Sequence, residues 1–369
     1  MEFFTASRRS CFRTLFLVSC LTLIGYVFGV GTTPSLVGSP VAMAPSGGTY
    51  PRSTRLSTGQ LLGIYTAFSG NNNVITVCQS TNNGASWTDI GTVTTGVGDI
   101  DNGYLLELPT TASGASHRRI LAVFRNHSRT GTSPNYVYTY YRITVCYSDD
   151  GGKTWSYLSQ PEGKSPPNGI WEPFMRLAHD GSIQLYYARE NSATDQDIVQ
   201  HISKDGGATW GPMATIAGAT TTGRDGMPGV TEFNTGSGNK LLCIFETTED
   251  GPFHVKSVTS SDDGITWGNR ATVYVPTGTN NNAGSPQVAT LGGNVLVSIF
   301  MTDEDTSTHA WIQGAGVKAL TSSDGVTWGN KLSVSPPQTN WPGIIPLNNN
   351  QMLALFDHNG ARSQAIQLS

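Results

Sequence analysis

The sequence predicts an all-β protein, a six-bladed β-propeller, from three observations. Five copies of one turn phrase recur along the chain, six copies of a second hairpin pattern lie between them, and the body of the chain carries no sustained 3.6-residue apolar period. Composition agrees: 43 Gly and 19 Pro in 369 residues, with 13% charged side chains, describe many tight turns between short strands.

The first phrase reads S-x-D-x-G-x-T-W. It occurs as "STNNGASW" (80–87), "SDDGGKTW" (148–155), "SKDGGATW" (203–210), "SSDDGITW" (260–267) and a worn "TSSDGVTW" (321–328). Trp87, Trp155, Trp210, Trp267 and Trp328 fall 68, 55, 57 and 61 residues apart, the spacing of a four-stranded blade with generous loops. Asp150, Asp205 and Asp262 are suited to accept backbone N–H groups across the turn, and Gly152, Gly207 and Gly264 to a position with φ > 0. Each Trp is expected to pack beneath its own hairpin. Asn82 and Ser323 replace the Asp in the outer copies, which a structural staple tolerates and a catalyst does not. The phrase resembles the Asp box of the sialidase superfamily.

The second pattern is a short run, a turn, and an apolar run ending in an aromatic. Its copies begin at Tyr50, Asn102, Glu172, Met227, Ser285 and Trp341. Six hairpins against five boxes leave the sixth blade without a box. Its outer strand is expected from the N-terminal stretch 35–45, closing the ring.

Before that stretch, Arg8, Arg9 and Arg13 precede the apolar run 15–31, the pattern of a secretory signal over residues 1–31, with a signal anchor as the alternative. Residues 32–369 then form one propeller domain, expected to be secreted, extracellular and monomeric, with no membrane association once the signal is removed. The formal charge is −4, or −6 without residues 1–31, and no basic run is present, which argues against nucleic acid as a partner. Cys78 and Cys146 occupy the same position in two repeats and so should not face each other; with Cys243 they read as buried strand thiols.

Strand counting locates the site. In a blade meander, the start of the innermost strand and the end of the second strand meet at one face, opposite the boxes, near the axis where propellers keep their ligands. Glu172 begins one innermost strand, and Glu246 follows the second strand of the next blade. Paired carboxylates flanking a shared space are what glycoside hydrolysis needs: one protonates the leaving oxygen, the other attacks or activates water. Trp171, Tyr104 and Trp341 are placed to stack a sugar. Arg52, Arg125 and Arg189 are candidates to bind hydroxyls or hold a Glu ionised, with loop-fixing salt bridges as the alternative. Asn102 belongs to the same rim, and Asp225 and Asp357 are candidates for hydroxyl binding, with loop capping as the alternative. His127, His254 and His358 show no metal-ligand spacing. The sequon at 126–128 falls on the same face, where a glycan on Asn126 would crowd the cleft.

The stretch "TYPRSTRLSTGQLLGIY" resembles the first-blade Arg motif of sialidases, but the other two Arg of their carboxylate clamp and their nucleophilic Tyr have no counterpart in "MPGVTEF", "SPQVATL" and "NWPGIIPL". "NGIWEPFMRLAHDGSIQLYYARE" and "LLCIFETTEDGPF" resemble the fungal exo-α-1,5-L-arabinanases (arabinobiohydrolases) of glycoside hydrolase family 93. That resemblance, over roughly 35–369, implies a sialidase-like six-bladed propeller and a retaining double displacement releasing arabinobiose from the non-reducing end of linear arabinan. It assigns Glu172 as nucleophile and Glu246 as acid/base, and calls for no metal or organic cofactor. A non-catalytic sugar-binding propeller, or a glycosidase of other specificity, are the alternatives.

Overall fold

The structure, a computed structural model, describes residues 1, 31–132, 135–236, 238–307 and 309–369. The signal reading over 1–31 falls almost wholly outside these residues. The described chain forms six four-stranded antiparallel sheets. From inside outwards, blade I comprises Thr49–Arg55, Leu61–Ser69, Asn72–Ser80 and Thr88–Gly96. Blade II comprises Asp99–Glu107, Ile120–Thr130, Val137–Ser148 and Ser156–Lys164. Blade III comprises Ile170–Leu177, Ile183–Glu190, Gln196–Ser203 and Ala214–Ala217. Blade IV comprises Gly226–Asn234, Asn239–Thr247, His254–Ser260 and Gly268–Tyr274, and blade V Ala283–Leu291, Val295–Thr302, Gly316–Ser322 and Gly329–Ser335. Blade VI takes Asn340–Pro346, Gln351–Asp357 and Ala361–Leu368 from the end of the chain, and its outermost strand, Pro34–Ala42, from the beginning. Innermost strands of successive blades touch all the way round, I against VI included.

The core is divided among the seams between blades. Six clusters of buried side chains fill them, one per seam, with no shared central core. Cys78, Cys146 and Cys243 are free thiols buried in strands.

The repeated turns explain how the seams are fastened. At 148–155 the Asp150 carboxylate accepts the Lys153 and Thr154 amides at 3.1 and 3.0 Å and the Thr154 and Ser148 hydroxyls at 2.6 and 2.8 Å. The same bonding recurs around Asp205 and Asp262, and Asn82 accepts the Ser86 amide and the Ser80 hydroxyl in the same way. Two expectations need correction. In the fifth copy Asp324, not position 323, does this work: it accepts the Val326 and Thr327 amides, in a turn one residue shorter. Nor does the Trp pack under its own hairpin. Trp155 joins the cluster between blades I and II, and Trp210, Trp267, Trp328 and Trp87 likewise each enter the seam with the preceding blade. A Cβ on Gly152 would stand 3.0 Å from Leu62 of blade I, and one on Gly84 2.4 Å from Leu353 of blade VI. These glycines, at φ 93° and 85°, supply close approach as well as a left-handed turn. Each turn is therefore an inter-blade staple. At the V–VI seam no box Trp enters; Thr32 instead accepts hydrogen bonds from Thr321 and Asn330 of blade V.

Candidate active site

All six innermost strands enter the ring through the same irregularity. Tyr50, Asn102, Glu172, Met227, Ser285 and Trp341 hold φ between 49° and 60°, a region that non-glycine residues seldom occupy. The strand register slips at each of them. Pro follows in five blades and Gly103 in the other. The resulting bulge breaks strand alternation and re-aims each of these side chains at the face opposite the boxes.

The residue just before each bulge pairs with a fixed position on the second strand: Thr66, Arg125, Ala188, Glu246, Met301 and Asp357. The sequence reading put Glu246 after the second strand; all six positions lie within it. The arrangement brings Glu172 and Glu246 together. Glu246 is the register partner of Gly226, and the next residue, Met227, directs its backbone N–H at the Glu172 carboxylate. Two neighbouring blades thus deliver one carboxylate each, from different strands, to the same mouth.

Both carboxylates are partly exposed yet densely surrounded. Burial pushes Glu172 up to about 8, helped by the charge of Glu246 and opposed by Arg125, the Met227 amide and Arg224. Burial pushes Glu246 up to about 7, opposed by the Ser285 amide, which donates to Oε2 at 2.6 Å, and by Arg224. The Glu246 carboxylate lies between two glycines. A Cβ on Gly226 would come within 3.0 Å of Oε1, and one on Gly284 within 2.3 Å of Oε2. Blades IV and V have glycine before the bulge where the other blades have Thr49, Asp101, Trp171 and Asn340.

Beneath the mouth, a narrow cavity of about 10 Å³, room for about one water, is lined by Arg52, Asn102, Tyr104, Glu172, Phe174, Met227 and Gln287, among others. Arg52 is buried and donates to the Pro51 and Trp341 carbonyls at 2.9 and 3.0 Å. Burial lowers it to about 10. Asn102 is 4% exposed and its Nδ2 has no hydrogen-bond partner. Tyr104 packs its ring 4.4 Å from that of Phe174.

Other predicted residues frame this centre. Arg125 is held by Asp99 and Asp101, each at 3.3 Å, and lies over the rings of Tyr50 and Trp171 at 5.7 and 5.5 Å. Trp341 stacks on Tyr50 with centroids 4.5 Å apart. Trp171 stands edge-on to His127, Tyr138 and Tyr141, and its indole N–H has no partner. Arg189 pairs in register with Ile170 on the rim of blade III. Asp225 is corrected, and for Asp357 the loop-capping alternative holds. Asp225 is fully buried and both its oxygens are taken by Arg270, at 2.7 and 2.9 Å, so it anchors blade IV rather than meeting a ligand. Asp357 does not line the cavity; its Oδ1 closes the 357–361 turn by accepting the Gly360 amide at 3.1 Å. Asn126 sits in a paired strand with its side-chain amide donated to Thr144 at 3.2 Å, which leaves it poorly placed to carry a glycan.

Sequence reasoning missed Arg224, whose guanidinium is fixed by Glu190 and Gln196 at 2.8 and 2.7 Å and acts on both catalytic candidates. It also missed Trp311, which approaches Glu246 from blade V. Arg224 precedes the counted strand and Trp311 opens a short helix in the connection between two strands, so neither belongs to a repeat; the glycines before two of the six bulges were the available signal.

No protein-family model matches the chain, and no curated protein matches it in sequence. Solved structures do. The α-L-arabinofuranosidase of Fusarium graminearum, described as a glycoside hydrolase family 93 enzyme in complex with arabinobiose, matches with a TM-score of 0.65 at 19% identity, over 92% of this chain and 98% of that one. The Penicillium chrysogenum α-L-arabinanase complexed with arabinobiose matches with a TM-score of 0.63 at 19% identity, over 92% and 98%. A sialidase of Streptococcus pneumoniae matches with a TM-score of 0.56 at 14% identity, over 91% and 70%. The chain therefore has the six-bladed, sialidase-like propeller fold that these glycoside hydrolases share.

Proposed function

We propose that this protein is a retaining glycoside hydrolase that acts on linear α-1,5-L-arabinan and releases arabinobiose from its non-reducing end. The observation that carries the reading is the pair Glu172 and Glu246, two crowded carboxylates brought from adjacent blades to one mouth, each raised toward neutrality. The Glu246 charge bears on Glu172, so the two do not ionise independently, and the pair holds one proton between about 7 and about 8. In the free chain the order of the two groups, about 8 for Glu172 and about 7 for Glu246, leaves the single proton on Glu172, and Arg224 favours both anions. The roles are therefore carried by the family 93 resemblance, in which Glu172 is the nucleophile that attacks the anomeric carbon and Glu246 gives its proton to the departing oxygen. In the second half, Glu246 takes a proton from water, which displaces Glu172 from the glycosyl-enzyme. No carboxylate lies within ion-pairing distance of Arg52 among the described residues, so its donors and the free Nδ2 of Asn102 serve to hold sugar hydroxyls. Substrate class and product are carried by the likeness to enzymes solved with arabinobiose. Export through the N-terminal segment is part of the same proposal.

The test is product analysis. Chain 32–369 incubated with linear arabinan should release arabinobiose with retained anomeric configuration by early-time NMR. Glu172→Gln and Glu246→Gln should each remove turnover while leaving oligosaccharide binding measurable. Binding with no turnover by the unsubstituted protein would instead identify a carbohydrate-binding propeller.

A further inference from the structure

We propose that Trp311, backed by Phe253, is an aromatic platform for the sugar on the leaving-group side of the scissile bond. This rests on the hydrolase reading above and extends it to a second sugar site. Trp311 opens the short helix Trp311–Gly314, within the connection 303–315 between the second and third strands of blade V, the longest such connection of the six. The indole is half-buried, and its ring lies 6.0 Å from that of Phe253 at 26°, a stacked pair spanning the mouths of blades IV and V.

Its placement against Glu246 defines which sugar it meets. The open side of Gly284 is where both groups converge: a Cβ there would stand 2.3 Å from Glu246 Oε2 and 3.0 Å from the Trp311 ring. Glu172 lies on the opposite, blade III side of Glu246. A glycosidic oxygen receiving a proton from Glu246 therefore has the attacked sugar toward Glu172 and the departing one toward Trp311. The platform is preset. Asp303 accepts the Asn282 amide at 2.6 Å and His309 bonds Asn281 at 2.7 Å, tying the connection to the entrance of the innermost strand. The indole also packs in part against the seam of blades V and VI and turns its Cζ2 edge toward Gly284; the apolar surface it leaves exposed beside Glu246 suits the C–H face of a neutral sugar ring.

The experiment compares two substrates on the full propeller. Linear arabinopentaose fills both sides of the bond; α-arabinobiosyl fluoride has no departing sugar. Trp311→Ala should lower kcat/KM about ten-fold on arabinopentaose, chiefly through KM, and leave the fluoride within about two-fold, while Trp311→Phe recovers most of the loss. Equal loss on both substrates, or none on either, overturns the proposal. If the unsubstituted protein turns over neither substrate, the hydrolase reading falls. Calorimetric affinity for arabinopentaose, compared between the unsubstituted chain and Trp311→Ala, then decides the platform by itself: equal affinities would refute it.

Discussion

The Ser285 amide of blade V donates to Glu246 of blade IV at 2.6 Å, so this carboxylate is gripped across a blade seam. That grip depends on the bare Gly284 beside it, where a methyl would intrude to 2.3 Å from the same oxygen. Gly284→Ala should displace the carboxylate and cut kcat about 100-fold, with the circular dichroism spectrum unchanged. Full activity in this variant would mean that the carboxylate does not need its present position.

Activity should follow a bell centred near neutrality. Below about 7 both carboxyls hold protons and no nucleophile remains; above about 8 both are ionised and no donor remains. Because Arg224 lowers both groups, Arg224→Ala should move both limbs of the kcat/KM profile to higher pH. An optimum at pH 4–5 in the unsubstituted enzyme would contradict the electrostatics described.

The same crowding costs stability, in a definite pH window. A Glu raised from 4.5 to about 8 keeps its proton in the folded chain after the unfolded chain has lost it, so its contribution is full below 4.5 and is lost as pH rises to about 8. Glu172→Gln, which never ionises, should therefore melt at least about 2 °C above the unsubstituted protein at pH 8.5 and show little difference at pH 4. Melting curves at the two pH values check this; a pH-independent difference would assign the effect to packing.

Removal of a box carboxylate should do the reverse. Asp150→Ala strips acceptors from two amides and two hydroxyls in the staple between blades I and II. The expected outcome is a loss of roughly 1–2 kcal/mol in stability with kcat unaltered, measured by denaturant titration and steady-state kinetics. Asp150→Asn should keep most of the stability, since Asn82 already serves in the first copy.

Repetition made the fold legible. Once "DGGKTW" and its copies are aligned, blade number, strand order and the two faces follow by counting, and so do Glu172 and Glu246, because the ring presents equivalent positions in each blade. What counting cannot give is where a side chain goes after its backbone is placed. Asp225 sits on the right rim by sequence, yet Arg270 draws it inward. The box Trp residues were expected beneath their own turns, but a hairpin has little room under it and the neighbouring blade offers an apolar surface. Trp311 and Arg224 come from connections without a period, where contact depends on the loop's path.

The identical bulge at six radial positions has a consequence for descent. A left-handed kink, followed by proline in five blades and by glycine in the sixth, presents whatever side chain sits on it, here tyrosine, asparagine, glutamate, methionine, serine and tryptophan, without asking the sheet behind to change. Such a rotor can trade its reactive groups one spoke at a time, so that relatives sharing little sequence keep the wheel and differ in what they cut.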